Sequence, residues 1–182
     1  MQEWEPKRSP MSSQSNGKYV YWLLPEEKAT AYFQSVINKL ARKHNTTAFL
    51  PHITIARPPQ VSVHQLTAHL KSIANQNKPY WIKVKKVWCK KPWNEKISVE
   101  IDLLPNLKKL ITNIDKELGG DYSTKQYLHL SLLYGQMSCK SLRIDVQQLN
   151  HDVINRFRVT KMALVHIFGE PNEWEIVEER EL

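Results

Sequence analysis

The chain contains few cysteines and no long apolar segment. Its 182 residues include only two cysteines, Cys89 and Cys139, which excludes a small secreted fold held by several disulfides. Their spacing matches no metal-binding pattern, so we expect two ordinary thiols and a reducing, cytoplasmic location. No apolar run approaches the roughly 20 residues that a membrane-spanning helix requires. We therefore expect no membrane partner and no metal or other cofactor.

The first 17 residues, Met1 to Gly17, are polar and rich in serine and glutamine. They lack the apolar centre of a signal peptide, and we expect a flexible tail. Residues 18–182 are enough for one domain, whereas each half alone would be too short for a comfortable core. We predict one bilobal domain over 18–182 and a monomeric protein.

Basic residues outnumber acidic ones by 26 to 18, for a formal net charge of +8. A basic balance favours a phosphate-bearing partner through long-range attraction. The basic residues are dispersed along the chain, however, and a solvated basic surface would give the same balance. Charge alone leaves both interpretations open.

The two halves of the chain follow one order of elements. In the first half, Lys18 to Leu24 predicts a strand, and Pro25 predicts the first turn of a helix. That helix has an apolar stripe at helical spacing, formed by Ala29, Phe33, Val36, Ile37 and Leu40. In the second half, Ile97 to Ile101 predicts a strand and Pro105 a helix start, followed by the stripe Leu107, Leu110, Ile111, Ile114 and Leu118 and by Gly119-Gly120 as the helix end.

The remaining elements lie around these two units. Ser62 predicts the start of a second helix, and Tyr80 to Trp88 a strand. A hairpin loop is predicted between that strand and Ile97. Phe157 to Phe168 and Glu173 to Val177 predict an antiparallel pair, and residues 136–155 one or two short helices.

The tripeptide pattern His-x-(Thr/Ser) occurs once in each half. The first copy is Pro51-His52-Ile53-Thr54 and the second is Leu128-His129-Leu130-Ser131. Each copy follows a strand, a Leu-Leu-Pro sequence and a helix, at nearly equal offsets. This arrangement indicates an internal repeat, and two halves related by a pseudo-two-fold axis would bring both histidines to one site.

These residue types suit the hydrolysis of a phosphodiester. Residues two apart in a strand share a face, so His52 lies beside Thr54 and His129 beside Ser131. One neutral and one protonated imidazole can take a proton from water and deliver another to the leaving oxygen. The two hydroxyls can donate hydrogen bonds to the non-bridging oxygens. A single copy of the pattern would usually be structural, and so we assign surface or structural roles to the other histidines, His44, His64, His69, His151 and His166.

At these residues the chain resembles the two-histidine (2H) phosphoesterases, and within them the cyclic phosphodiesterases that act on cyclic phosphates from tRNA splicing. The resemblance rests on Tyr21-Trp22-Leu23-Leu24-Pro25, on residues 49–56 and 129–135, and continues through 157–165 and 174–177. It implies an α+β fold with two pseudo-symmetric antiparallel-sheet lobes, flanked by helices, around a central cleft. It implies that His52 and His129 open 2′,3′-cyclic nucleotides or ADP-ribose 1″,2″-cyclic phosphate. It also implies that His129 is the base and His52 the acid.

Four further residues are candidates for contact with the substrate. Tyr134 follows the second motif, but strict alternation places it opposite His129 unless the strand ends there, and a packed aromatic is the alternative. Trp93, in the loop between the halves, can stack on a nucleobase or cover the edge of the cleft. Arg57 and Lys125 flank the motifs and can bind phosphate, but for both we favour a solvated strand end.

The chain departs from the 2H pattern at two places. Leu128 replaces a proline before the second motif, which keeps the strand apolar. Residues 88–96 are polar and basic, where related proteins have a glycine-containing turn followed by aromatic residues. The second departure leaves open a 2′,5′ RNA ligase-like or RNA-end-processing phosphodiesterase as the main alternative. A non-catalytic RNA- or nucleotide-binding module is an alternative of another class.

Overall fold

The computed structural model describes residues 18–59 and 61–182, so the predicted tail lies outside the described residues. The strands are β1 (Lys18–Pro25), β2 (Ile53–Ala56), β3 (Tyr80–Cys89), β4 (Ile97–Ile101), β5 (Leu128–Leu133), β6 (Arg156–Ile167) and β7 (Glu175–Glu181). The helices are α1 (Glu27–His44), α2 (Val63–Gln76), α3 (Pro105–Leu118) and α4 (Arg143–Asp152). The predicted α+β class is confirmed.

All pairings between the strands are antiparallel. The order across the sheet is β1-β2-β5-β4-β3-β6-β7, and β1 also pairs with β6. The predicted repeat corresponds to β1-α1-β2 and β4-α3-β5, since each unit is a strand, a helix and an antiparallel return strand. The two expected sheets are hydrogen-bonded into one, because β2 and β5 meet at Ile53 and Leu130 and β3 pairs with β6.

The two faces of the sheet differ in what covers them. Tyr21 and Leu23 of β1 belong to the large core that contains the apolar stripes of α1, α2 and α3. Their neighbours Val20 and Trp22 point to the opposite face and pack in a smaller cluster with residues of β6 and β7. The alternation along β5 is the same, with Leu128, Leu130 and Leu132 in the large core. The motif side chains therefore lie on the face without helices.

The predicted helix boundaries hold, with one exception. Ser62 caps α2, and its hydroxyl accepts a hydrogen bond from the Gln65 N–H. Pro105 begins α3, and Gly119 ends it with φ 75°, a left-handed conformation that glycine adopts without strain. The prediction for Pro25 was wrong: Pro25 ends β1, where its pairing with Val159 falls at a register shift. A proline is tolerated there because an irregular strand end needs no N–H donor.

Cys89 and Cys139 form a disulfide, so the prediction of two ordinary thiols was wrong. Cys89 is the last residue of β3 and Cys139 lies between β5 and α4; their Cα atoms are 5.6 Å apart, within the normal range. They are 50 residues apart in sequence, and the sheet order β5-β4-β3 brings them together. The cysteines thus give no support to a cytoplasmic location. Within the described ranges, none of the helices combines the length and apolar character of a membrane span.

Candidate active site

The two motifs are neighbours at the centre of the sheet. Ile53 of β2 lies opposite Leu130 of β5. Extending this antiparallel register by one residue in each direction places His52 opposite Ser131 and Thr54 opposite His129. These four residues line one cavity of about 320 Å³. The structure therefore brings together the imidazoles and hydroxyls that the repeat predicted.

His52 is held as a neutral imidazole. It is 5% exposed, and its Nδ1 lies 2.7 Å from the carbonyl oxygen of Leu50. A carbonyl only accepts, so Nδ1 carries the hydrogen and Nε2 keeps the lone pair. Burial lowers the pKa of His52 to about 3; the Leu50 bond opposes this shift, and the charges of His129 and Arg57 add to it. Nε2 therefore has a free lone pair that can accept a proton.

His129 has a carboxylate nearby that His52 lacks. Burial again lowers its pKa, but the charge of Glu95 acts in the opposite direction and favours the imidazolium. Lys125, Lys90 and Arg57 lower the pKa further. The hydroxyl of Tyr127 donates to Glu95 Oε2 over 3.2 Å. The two histidines thus share a cavity but differ in charge environment, and His129 has the better support for a proton.

The two hydroxyls differ in their partners. Ser131 donates to the carbonyl of Asn94 over 2.9 Å, and its oxygen lies 3.4 Å from that of Ser98. Within residues 18–59 and 61–182, the Thr54 hydroxyl has no hydrogen-bond partner. Thr54 can therefore donate to an anion directly, whereas Ser131 must first release Asn94.

The sequence interpretation missed Trp22, which forms the wall behind His52. Its ring lies parallel to the imidazole, with centroids 3.6 Å apart and an interplanar angle of 11°. Trp22 is paired with Thr54 across β1 and β2. The alternation of β1 could have indicated this position, because Tyr21 and Leu23 point to the helix-side core and Trp22 therefore points to the face that carries the motifs.

Tyr134 is both a packed aromatic and a cavity wall. Because β5 ends at Leu133, strict alternation no longer applies to Tyr134, and its side chain lines the cavity while stacking on Phe49 at 3.9 Å. Burial raises the pKa of the Tyr134 hydroxyl well above its ordinary value, and the nearby Ser131 hydroxyl opposes that shift. Trp93 also lines the cavity and is 41% exposed, with its ring edge against Tyr134.

The loop that carries Trp93 is attached to the end of β5. Gly135 N–H donates to the Trp93 carbonyl over 2.9 Å, next to the bond from Ser131 to Asn94. The disulfide of Cys89 joins the start of this loop to the segment after β5. The loop of the hairpin and the second motif therefore form one wall.

Arg57 and Lys125 occupy different places. Arg57 is exposed just past the end of β2, as a solvated strand end would be, and it also lines the cavity. Burial raises the pKa of the neighbouring Tyr122 to about 12, and the charge of Arg57 opposes this shift. Lys125 lies over the Tyr122 ring, 4.7 Å from its centroid, and does not line the cavity. The lining residues that we did not predict are Lys18, Val20, Trp22, Asn94, Tyr122, Ile167 and Trp174.

The other histidines lie outside the cavity. His44 pairs with Asp145 at 3.0 Å, and His69 lies between the Tyr21 hydroxyl and Glu117. Nowhere in the described part of the chain do three histidine, cysteine, aspartate or glutamate side chains gather closely enough to hold a metal ion.

Comparison with known proteins identifies the fold. The structure of Escherichia coli LigT, a 2H phosphoesterase, in complex with 3′-AMP aligns with 92% of this chain and 99% of its own, with a TM-score of 0.55 and 14% identity. LigT in complex with ATP gives a TM-score of 0.57 at 13% identity, covering 91% and 97%. A crystal structure described as a phosphoesterase gives 0.56 at 13% identity, covering 91% and 98%. No family model and no curated protein matches the sequence. The chain has the 2H phosphoesterase fold.

Proposed function

We propose that this protein with the 2H phosphoesterase fold hydrolyses cyclic phosphodiesters to phosphomonoesters, with His52 and His129 as its acid–base pair. The substrates would be 2′,3′-cyclic nucleotides or ADP-ribose 1″,2″-cyclic phosphate. The observation that carries this proposal is the placement of both imidazoles and both motif hydroxyls around one cavity. The LigT structures with 3′-AMP and with phosphate support it, because in those proteins a fold of this kind binds a phosphate-bearing ligand.

The charge environments favour His52 as the base. A base must be neutral before the reaction, and the pKa of about 3 keeps His52 neutral at any ordinary pH. The acid must carry a proton, and Glu95 favours the protonated form of His129. This assignment is the reverse of the one that the family resemblance implies. It follows from the burial of His52 and from the position of Glu95.

The proposed reaction is a single displacement at phosphorus. His52 Nε2 takes a proton from water, and the water oxygen forms a new bond to phosphorus. The bond from phosphorus to one ring oxygen breaks, and His129 gives that oxygen its proton. The product is a monoester with a free neighbouring hydroxyl. Thr54, and Ser131 after it releases Asn94, donate to the non-bridging oxygens, with the charge of Arg57 at the cavity wall.

The experiment uses two cyclic isomers of one nucleotide. Purified protein is incubated in EDTA with 2′,3′-cyclic AMP and, as the matched control, with 3′,5′-cyclic AMP; products are followed by ³¹P NMR, and ADP-ribose 1″,2″-cyclic phosphate is tested in parallel. We expect a monoester from a five-membered cyclic phosphate and none from 3′,5′-cyclic AMP. Failure to open either five-membered ring would contradict the proposal and favour a binding module.

A further inference from the structure

The face of the sheet that carries the cavity also carries an exposed tryptophan. Trp81 of β3 is 52% exposed, while Tyr80 and Ile82 on either side are buried in the helix-side core. Because successive strand residues point to opposite faces, Trp81 lies on the same face as His129 and Ser131.

Two arginines lie against this indole, and a lysine follows two residues later on the same face of β3. Trp81 is paired with Arg158, and Lys83 with Arg156, across β3 and β6; directly paired residues share a face. The guanidinium carbons of Arg156 and Arg158 lie 5.0 and 5.8 Å from the Trp81 ring centroid. We call Trp81, Lys83, Arg156 and Arg158 the Trp81 patch.

The charge of the Trp81 patch is not neutralised by the residues around it. Lys85 and Lys86, further along β3, form ion pairs with Glu100 and Asp102. None of the three patch cations has a carboxylate partner of this kind within the described ranges. A groove of about 670 Å³ adjoins the patch and includes Glu26 and Lys28, whose charges balance. The patch therefore offers an aromatic surface beside a local charge of +3.

We propose that the Trp81 patch binds single-stranded RNA. The bound nucleotides would belong to the substrate and precede the terminal cyclic phosphate, which lies in the cavity. A nucleobase stacks on an exposed tryptophan whatever its sequence, and the adjacent phosphates pair with arginine and lysine. RNA presents both groups in every nucleotide, whereas an acidic peptide presents charge without a regular aromatic partner. This inference rests on the proposed function, because only a ribose end can form a 2′,3′-cyclic phosphate.

The distance between the Trp81 patch and the cavity is too long for one nucleotide, so only an oligonucleotide can contact both. His129 is paired with Glu100, and Glu100 with Lys86. Trp81 lies five residues before Lys86. With about 4.8 Å between strands and about 3.3 Å per residue, the straight-line distance from His129 to Trp81 across the sheet is about 20 Å. A mononucleotide in the cavity does not reach the patch, so the patch distinguishes an RNA end from a small cyclic nucleotide.

The test compares RNA binding with mononucleotide turnover. Binding of a fluorescent single-stranded RNA octamer with a 3′-phosphate is measured by anisotropy as a function of salt, and hydrolysis of 2′,3′-cyclic AMP is measured separately. The variants are Trp81→Ala and the double change Arg156→Ser with Arg158→Ser. The matched control is Lys108→Ser with Lys109→Ser, which removes two exposed charges from α3.

We expect Trp81→Ala to weaken RNA binding about tenfold through lost stacking. The double arginine change should reduce the slope of log K against log salt by about 1.4, and the lysine control by much less. Turnover of the mononucleotide should stay within about twofold in all three. The arginine pair tests the patch even if Trp81→Ala does not fold.

RNA affinity that is unchanged in both patch variants, or reduced equally by the lysine control, would overturn the inference. So would an absence of octamer binding by the unmodified protein. If the patch binds RNA but the protein opens no cyclic phosphate, the proposed function fails while the binding surface remains. The two failures are therefore distinguishable.

Discussion

The imidazole of His52 lies flat against the indole of Trp22, with ring centroids 3.6 Å apart. Together with the hydrogen bond from Nδ1 to Leu50, this contact fixes both the plane of the ring and its rotation. A general base with a fixed orientation loses less entropy when it reaches the attacking water. In the proposed mechanism, Trp22 is therefore a positioning residue for His52.

Replacing Trp22 by leucine should lower kcat/KM about fivefold, because an aromatic pair contributes about 1 kcal/mol beyond its burial. Trp22→Phe keeps an aromatic face and should lose much less. Steady-state kinetics on 2′,3′-cyclic AMP measures both variants, and thermal unfolding shows whether each is folded. A folded leucine variant with unchanged kinetics would contradict the role of Trp22.

The activity should be highest in mildly acid solution. The active form has neutral His52, which is populated above about pH 3, and protonated His129, whose pKa lies below 6.5. The rate should therefore fall tenfold per pH unit once the pH exceeds the pKa of His129. A profile of kcat/KM from pH 4 to 9 measures this decline, the alkaline limb of the profile.

Glu95 should set the position of that limb. Its charge raises the pKa of His129, so Glu95→Gln should move the decline to lower pH. Glu100→Gln is the matched control: Glu100 is paired with His129 across the sheet, but its carboxylate binds Lys85 and Lys86. Equal shifts in the two variants would argue against a specific effect of Glu95.

The two motif hydroxyls should contribute unequally. Thr54→Ala removes a donor that has no other partner among the described residues, whereas Ser131→Ala removes one that already binds Asn94. We expect the threonine change to reduce kcat/KM roughly tenfold or more and the serine change to reduce it less. Thr54→Ser, which retains the hydroxyl, should restore most of the rate. A larger loss from Ser131→Ala would show that Asn94 releases the hydroxyl readily.

The disulfide should stabilise the fold and the Trp93 loop. Closing a loop of 50 residues corresponds to about 4 kcal/mol in the chain-entropy estimate. The double change Cys89→Ser with Cys139→Ser should lower the free energy of unfolding by up to that amount. Urea unfolding with and without reductant measures it, and the serine variant should not respond to reductant. Equal stability of the oxidised and reduced protein would contradict the prediction.

The repeat made the main part of the site predictable from sequence. His52, Thr54, His129 and Ser131 each carry local information, because the same spacing occurs twice after similar strand and helix patterns. The helix-side core was predictable for the same reason, since Phe33, Ile37 and their equivalents recur at helical spacing.

The features that were missed depend on contacts between distant segments. The disulfide joins residues 50 apart in sequence, and no local spacing indicates it. Glu95 is an ordinary loop carboxylate until the hairpin folds beside β5. Pro25 was misassigned because a proline suits both a helix start and an irregular strand end. The proposed assignment of His52 as base and His129 as acid likewise depends on burial, which the motif does not encode.

The most direct test of the account is the hydrolysis rate of 2′,3′-cyclic AMP by the unmodified protein, His52→Ala and His129→Ala, with exposed His64→Ala as control. We predict that each motif variant loses about a thousandfold or more in rate, remains folded by thermal unfolding, and that His64→Ala retains full activity. A folded His52→Ala or His129→Ala variant with near-normal turnover would contradict catalysis by the paired histidines.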